Sequence, residues 1–317
     1  MEKSVIEFAQ VVSIGCGMDI HKDSVIATIG GIEVKQEIKT FGTFTNNLDD
    51  LKNWLLSIGV THVAMESTGV YWKPIFNVLE DSFEILLVNA RHIKNVPGHK
   101  TDKKDSDWIC KLLLSGLLKG SFIPPKKIRE LRDLFRYKRK LVGNISADKN
   151  RLQKILEDAN IKLSSVVSDV FGASATKIID AILAGEENIE KLLSLCHKRL
   201  ASKRENIKDA LTGKINDHHK FMLRTIKMSI ANTQAVVLKL DAEIDEHTKE
   251  YEIILEHLET IPGVGKDTAI GIITEIGVDM AVFPNQQHLA SWAGMCPGNN
   301  ESAGKKKVAE PLRVINI

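Results

Sequence analysis

Gly17-Met18-Asp19-Ile20-His21-Lys22 puts a carboxylate at the far end of an apolar run that opens at Val11, Val12 and Ile14, and a second apolar run, Val25-Ile26-Ala27, follows at once. That pattern places Asp19 at the end of a buried strand, where a charge is costly unless something compensates it. Glu66 repeats the arrangement, closing the short run Val63-Ala64-Met65 ahead of Ser67-Thr68-Gly69. Asp102 and Asp105, in Lys100-Thr-Asp-Lys-Lys-Asp, stand three apart at the start of an expected helix, so both project from one face. Taken singly, each acid has a plainer reading as a helix cap or a solvated loop residue. Gathered from two strand ends and one helix they repel one another, and a divalent cation is the usual remedy. An all-oxygen donor set without Cys or His suits Mg²⁺ or Mn²⁺, not zinc. Phosphodiester attack is the chemistry that asks for such a cluster, because the metal activates the nucleophile and steadies the leaving oxygen.

Outward from that stretch, residues 11–125 alternate strand and helix patterns. Residues 17–30 and 32–40 read as strands joined through Gly30-Gly31, 47–58 as a helix, and 62–65 as a strand. Residues 72–79 then read as a helix, 84–88 as a strand, and 106–118 as an apolar-rich helix, before Pro124-Pro125 closes the region. Hairpin-paired strands followed by alternating strands and helices predict a mixed α/β domain. No proline then occurs between Pro125 and Pro262, and the interval 126–258 looks helical almost throughout.

Two apolar series run through that helical stretch with alternating steps of four and three. One comprises Ile226, Ile230, Thr233, Val237, Leu240, Ile244, His247, Tyr251, Ile254 and Leu258; the other runs from Leu131 and Phe135 to Leu152 and Leu156. A heptad seam of that length argues a coiled coil. It describes equally well two helices packed within one subunit and a dimerisation arm. The earlier helix is also basic: between Lys126 and Lys154 there are eleven Lys/Arg against three acids. A charge run is usually a solvated face, yet a one-signed stripe beside a metal cluster suits a phosphate backbone, with Arg132, Arg136 and Arg139 as expected contacts. Arg91, Lys100 and Lys104 add positive charge around the acids themselves.

The chain has 317 residues, enough for two or three domains, with 43% hydrophobic and 26% charged residues, a globular composition. Its net charge of +2 says little about partners. No apolar run approaches the ~20 residues that span a bilayer, and Met1-Glu-Lys-Ser-Val-Ile lacks the layout of a signal peptide. Cys16, Cys110, Cys196 and Cys296 are scattered, with neither zinc-ligand nor disulfide spacing, and fit a reducing cytoplasm.

Past the seam, Ile261-Pro262-Gly263-Val264-Gly265-Lys266 reads as the turn of a helix–hairpin–helix element. Gly263 and Gly265 let the backbone approach a phosphate, and the N–H groups opening the next helix face it, with Lys266 beside them. A purely structural turn is the competing reading.

The strings GMDIHKDS, AMESTGVYW and KTDKKDSDWI resemble the DEDD motif of bacterial insertion-sequence transposases of the insertion-sequence one-ten family. The stretch from Leu289-Ala-Ser-Trp-Ala-Gly to Asn300-Glu-Ser-Ala-Gly-Lys-Lys-Lys resembles the C-terminal transposase domain of that family. The resemblance implies an RNase H/RuvC-like nuclease domain over 11–125, a helical and coiled-coil dimerisation region over 126–258, and a small helical transposase domain over 259–317. It implies that Asp19, Glu66, Asp102 and Asp105 hold Mg²⁺ or Mn²⁺, and that Ser302 is the nucleophile, with Lys305 supplying charge. It also implies DNA cleavage and strand transfer, a structured guide RNA, a homo-oligomer (dimer or tetramer) and a bacterial, nucleoid-associated location. Family members carry further helices beyond the serine loop, so the ending Val308-Ala-Glu-Pro-Leu-Arg-Val-Ile-Asn-Ile suggests a truncated copy that binds nucleic acid with impaired catalysis. A phosphotransferase of the actin/sugar-kinase type, which also opens on an Asp-bearing hairpin, is disfavoured because His21-Lys22-Asp23-Ser24 stands where a Gly/Thr-rich phosphate turn belongs.

Overall fold

The computed structural model describes residues 11–67, 69–89 and 105–295, and the backbone of 301–302 and 305–306. They fall into two compact units, Met1–Ile123 with Ala281–Ile317, and Pro124–Met280. Among the described residues no helix is long and apolar enough to cross a membrane.

The first unit is built on a five-stranded mixed sheet. Strands β1 (Ile14–Ile20), β2 (Ser24–Gly31) and β3 (Val34–Gly42) form an antiparallel meander. After α1 (Thr45–Ile58), β4 (His62–Glu66) lies parallel to β1. After α2 (Trp72–Leu79), β5 (Glu84–Val88) lies parallel to β4, giving the order β3-β2-β1-β4-β5. The single strand expected over 17–30 is therefore two strands. The chain reverses at His21-Lys22-Asp23, where the His21 N–H donates to the Ser24 carbonyl. Apolar alternation on both sides of that three-residue turn disguises it in the sequence.

Strand alternation divides the sheet into two unlike faces. Cys16, Met18 and Ile20 of β1, Val25, Ala27 and Ile29 of β2, and Val63 and Met65 of β4 join one core with Leu48, Leu51 and Leu55 of α1 and Trp72, Ile75 and Leu79 of α2. The opposite face carries Gly15, Gly17, Thr28, Gly30 and Ala64, and it is covered by α3 (Asp105–Leu114). There Ile109, Leu112 and Leu113 pack on Ala64 and Val88. This helix was expected to reach residue 118; it stops at Leu114, ahead of Gly116 in the left-handed region at φ +67°.

The second unit is organised by two long helices, α4 (Lys126–Asp158) and, after α5 (Ala173–Leu183), α6 (Ile189–Ser194) and α7 (Arg204–Leu211), α8 (Asp217–Thr248). They lie against each other within the one chain and end in two separate cores. At one end Leu131, Phe135 and Ile244 pack with Leu255 of α9 (Glu252–Glu259) and Ala269, Ile270 and Ile273 of α10 (Lys266–Ile276). At the other, Leu152, Leu156, Leu223, Ile226 and Ile230 pack with α5, α6 and α7. The heptad series departs from expectation after His247. Helix α8 closes at Thr248, whose hydroxyl donates to the Ile244 carbonyl at 2.8 Å, and a 3₁₀ turn over Lys249–Tyr251 resets the phase. In consequence Leu255 is buried and Ile254 is exposed.

Following this unit, α11 (Gln286–Trp292) starts at Asn285, whose side chain accepts the N–H groups of Gln287 and His288. Trp292 and Phe283 pack their rings with Phe122 at centroid separations of 5.5–6.3 Å, within the first unit. A two-stranded ribbon follows, β6 (Glu301–Ser302) antiparallel to β7 (Lys305–Lys306).

Candidate active site

The side chains of Asp19 and Glu66 reach the same place by the same rule. Register pairs Gly17 with Ala64 and Met18 with Met65 across the parallel strands β1 and β4. One residue further along each strand come Asp19 and Glu66. Since Met18 and Met65 point into the α1/α2 core, their successors point to the other face, the one α3 covers. Both acids are half-buried and sit at the carboxyl ends of adjacent parallel strands.

Helix α3 brings a third acid to that end. Its direction can be read from the glycines beneath it. A Cβ on Gly17 would stand 2.3 Å from the Ser106 carbonyl oxygen and 2.2 Å from the Cys110 nitrogen; a Cβ on Gly15 would stand 2.9 Å from Cδ2 of Leu113. The helix therefore runs opposite to β1, and its N-terminus, with half-buried Asp105 as its first residue, lies toward the strand end that bears Asp19. Asp102 falls outside the described residues, as do Arg91, Lys100 and Lys104.

Asp19 and Glu66 lie at the ends of β1 and β4, and Asp105 opens the helix end directed the same way; as oxygen donors they are chemically of the kind a hard divalent cation takes. Among the described residues alone no group of three or more His, Cys, Asp or Glu is already arranged to hold a metal ion. The thiols nearby offer no alternative. Burial pushes Cys16 well above the ordinary thiol value, with Cys110 adding to it, and burial pushes Cys110 up to about 11, so both are neutral thiols.

Several residues around the acids escaped the sequence reading. His21 Nε2 lies 3.1 Å from Asp19 Oδ2, in the turn that ends β1. The i, i+2 spacing within Met18-Asp-Ile-His21 was the available signal. Asp107 is buried, and it accepts hydrogen bonds from Gln36 of β3 and, at 2.9 Å, from Lys111. Thr28 and Ser106 share a buried hydroxyl–hydroxyl hydrogen bond of 2.8 Å.

At the glycine turn between α9 and α10, Gly263 has φ +87° and Gly265 is the extended N-cap of α10. Among the described residues nothing lies within 4 Å of a Cβ built on either, and both are exposed. Lys266 is exposed and pairs with Asp245 at 2.7 Å. In the ribbon, backbone pairing sets Ser302 opposite Lys305.

Two family models match the chain. Residues 16–161, which include all four acids, match the DEDD-type IS110 model, described as a transposase. Residues 255–313, which include the glycine turn and the ribbon, match the transposase IS116/IS110/IS902 family. The chain belongs to the IS110 family of transposases. No curated protein matches it. A transposase is an enzyme that acts on DNA, so its cationic surfaces bear directly on its work.

The basic helix of this transposase is largely occupied from within. Arg132 is buried, and its guanidinium donates from Nε to the Thr274 carbonyl at 2.7 Å and from Nη2 to the Glu275 carbonyl at 2.8 Å, at the C-terminal end of α10. Burial draws its pKa down while Glu275 opposes the shift. The expected phosphate contact at Arg132 is thus replaced by a helix cap. Arg136 meets both carboxylate oxygens of Glu275, at 2.8 and 2.7 Å. Lys138, with a side chain 11% exposed, bridges Asp241 of α8 at 2.6 Å and Asp267 of α10 at 2.8 Å. Lys127 pairs with Glu250, Arg151 with Asp148, and Lys149 sits over the Phe171 ring. Arg139 and its neighbour Lys140 remain exposed.

Proposed function

We propose that this transposase cleaves and rejoins DNA strands at a RuvC-like carboxylate site. Asp19, Glu66, Asp102 and Asp105 hold Mg²⁺ or Mn²⁺ there, and Ser302 is the attacking nucleophile. The observation that carries the reading is the placement of Asp19 and Glu66 side by side at the ends of parallel strands, on the face where the N-terminus of α3 arrives. The strand order β3-β2-β1-β4-β5, with a meander leading into parallel strands, is the arrangement an RNase H-type domain asks for and supports the same reading. When bound, the divalent ions supply nucleophile activation and stabilisation of the leaving oxygen.

The chain's own residues do the rest. The carboxylates fix where a scissile phosphate lies, and His21 beside Asp19 is placed to steady that carboxylate. The Ser302 oxygen attacks phosphorus, one phosphodiester P–O bond breaks as the Oγ–P bond forms, and the departing sugar oxygen takes up a proton equivalent to the one the serine releases to solvent. Lys305 supplies positive charge for the phosphate. The open turn at Gly263 and Gly265 and the exposed pair Arg139 and Lys140 are the phosphate contacts the geometry favours. Guidance by a structured RNA rests on the family resemblance. A homo-oligomer, with Ser302 of one subunit serving the acids of another, is supported by the exposed apolar residues Phe221, Met228 and Leu238 on α8, a face left over once the α4 side is filled.

Incubating the protein with Mg²⁺, insertion-sequence end DNA and the RNA transcribed beside it should yield a protein–DNA adduct that survives denaturant. Ser302→Ala should lose the adduct and keep nucleic-acid binding. Adduct persisting in Ser302→Ala would reject the nucleophile; binding without any cleavage by the parent would favour a nucleic-acid-binding protein that does not transfer strands.

A further inference from the structure

Two polar contacts tie the start of α3 to strands that carry none of the four acids. The hydroxyls of Thr28 on β2 and Ser106 on α3 are 2.8 Å apart, and both residues are fully buried. Gln36 on β3 donates to Oδ1 of Asp107, and Lys111 donates to Oδ2 of the same carboxylate. Asp107 is only 8% exposed. Burial of a hydroxyl pair and a carboxylate adds little net stability, since apolar groups of the same shape serve packing as well.

What these contacts add is direction. The floor under α3 is smooth, because Gly15, Gly17 and Gly30 offer no side chain for the helix to interlock with. Apolar contacts are non-directional, so over such a floor they resist sliding and rolling weakly. A hydrogen bond to β2 and another to β3 each fix a distance and an angle. Ser106 and Asp107 directly follow Asp105, so their anchoring governs the first turn of the helix and little else.

We propose that Ser106 and Asp107 are positioning residues, anchored by Thr28 and Gln36, that set the roll and axial position of α3 so that its N-terminal carboxylate meets Asp19 and Glu66 around a divalent cation. The inference rests on the carboxylate metal site of the proposed function. Residues that orient metal ligands typically change metal affinity by about 10–100-fold when removed.

The test is Mn²⁺ binding by the full chain without DNA, followed by electron paramagnetic resonance of the free ion, with thermal unfolding in EDTA measured alongside. Thr28→Val and Ser106→Ala should each weaken Mn²⁺ binding by about tenfold. The double variant should be no worse than either single one, and Thr28→Ser should restore affinity. Gln36→Leu, on an exposed strand, should weaken binding with little change in unfolding, and it carries the test if Thr28→Val fails to fold. A merely structural role predicts lower unfolding temperatures in EDTA with unchanged Mn²⁺ affinity of the folded protein, and that result overturns the proposal. Parent protein that binds no Mn²⁺, or Glu66→Ala binding like the parent, overturns the metal site and this inference with it. Parent and Glu66→Ala behaving as expected while Thr28→Val and Gln36→Leu bind like the parent overturns this inference alone.

Discussion

The face of the sheet under α3 and the basic helix α4 are both rich in charge, and they use it in opposite ways. At the carboxyl ends of β1 and β4, strand register sets Asp19 and Glu66 on neighbouring strands, and Asp105 opens the helix end directed toward them. On α4, cations that look like a solvated stripe in the sequence are matched to carboxylates and helix-end carbonyls of α8 and α10. The first pattern brings carboxylates from distant segments to one end of the sheet; the second matches cations to carboxylates and carbonyls within one unit.

The largest effect expected from this contrast belongs to the acids. Glu66→Ala or Asp19→Ala should reduce Mg²⁺-dependent cleavage by on the order of 10³-fold, about 4 kcal/mol of barrier. The unfolding temperature in EDTA should change little, because both side chains are only half-buried. Cleavage at the parent rate in both variants would erase the distinction between the two regions.

Next comes Gly17→Ala. Its Cβ meets backbone atoms of α3 that cannot step aside, so the helix must lift. Overpacking of that kind costs about 1–3 kcal/mol, measurable in urea unfolding, and cleavage should fall with it. Parent-like stability would mean that the helix does not rest on that strand.

Lys138→Met should destabilise the second unit by about 1–2 kcal/mol, less than the ~3–5 kcal/mol of a fully buried pair because Asp267 is open to solvent. The effect has a pH signature. Burial works to lower the Lys138 pKa, but its hydrogen bonds and charge contacts with Asp241 and Asp267 outweigh it and leave the value above the ordinary 10.5. A raised lysine pKa contributes stability that is full below the unfolded value and is lost as pH climbs through the folded one. The gap between parent and Lys138→Met should therefore stay constant to about pH 10 and close above it.

The smallest effect is also the finest discriminator. Arg139→Ala with Lys140→Ala should flatten the salt dependence of duplex DNA binding by up to ~1.8 in log–log slope, about 0.9 for each phosphate neutralised. Arg132→Ala should leave that slope alone and lower stability instead, through the carbonyls it caps. Equal slope changes in the two variants would show that α4 works as a single cationic surface.

The strand-end positions of Asp19 and Glu66 were legible in the sequence because strand alternation is local. An apolar run that ends in a carboxylate says where the carboxylate lies, and Asp19 and Glu66 required nothing more. The turn at His21-Lys22-Asp23 was hidden because apolar residues stand on both sides of it; its one local trace is a phase change, from core-facing Met18 and Ile20 to core-facing Val25 and Ala27. The roles on α4 were illegible for a different reason. Glu275 lies 139 residues from Arg136, and Asp267 lies 129 residues from Lys138. No window along the chain contains both partners, so local charge counting sees only the cation. Ser106 and Asp107 share that difficulty, since Thr28 and Gln36 are 78 and 71 residues away.

Between its two cores, the helix pair of the second unit has no third layer among the described residues: Val142 of α4 and Val236 and Leu238 of α8 are exposed there. From Lys138 to Leu152 the span is roughly 20 Å at 1.5 Å per residue. A rod of that length is a mechanical link. A tilt of about 10° at the end that holds the glycine turn displaces the other end by about 3–4 Å, with the helical rise setting the arm. The interlocked charges around Lys138 stiffen one pivot of that arm, so loosening them changes how far a push at one core is felt at the other.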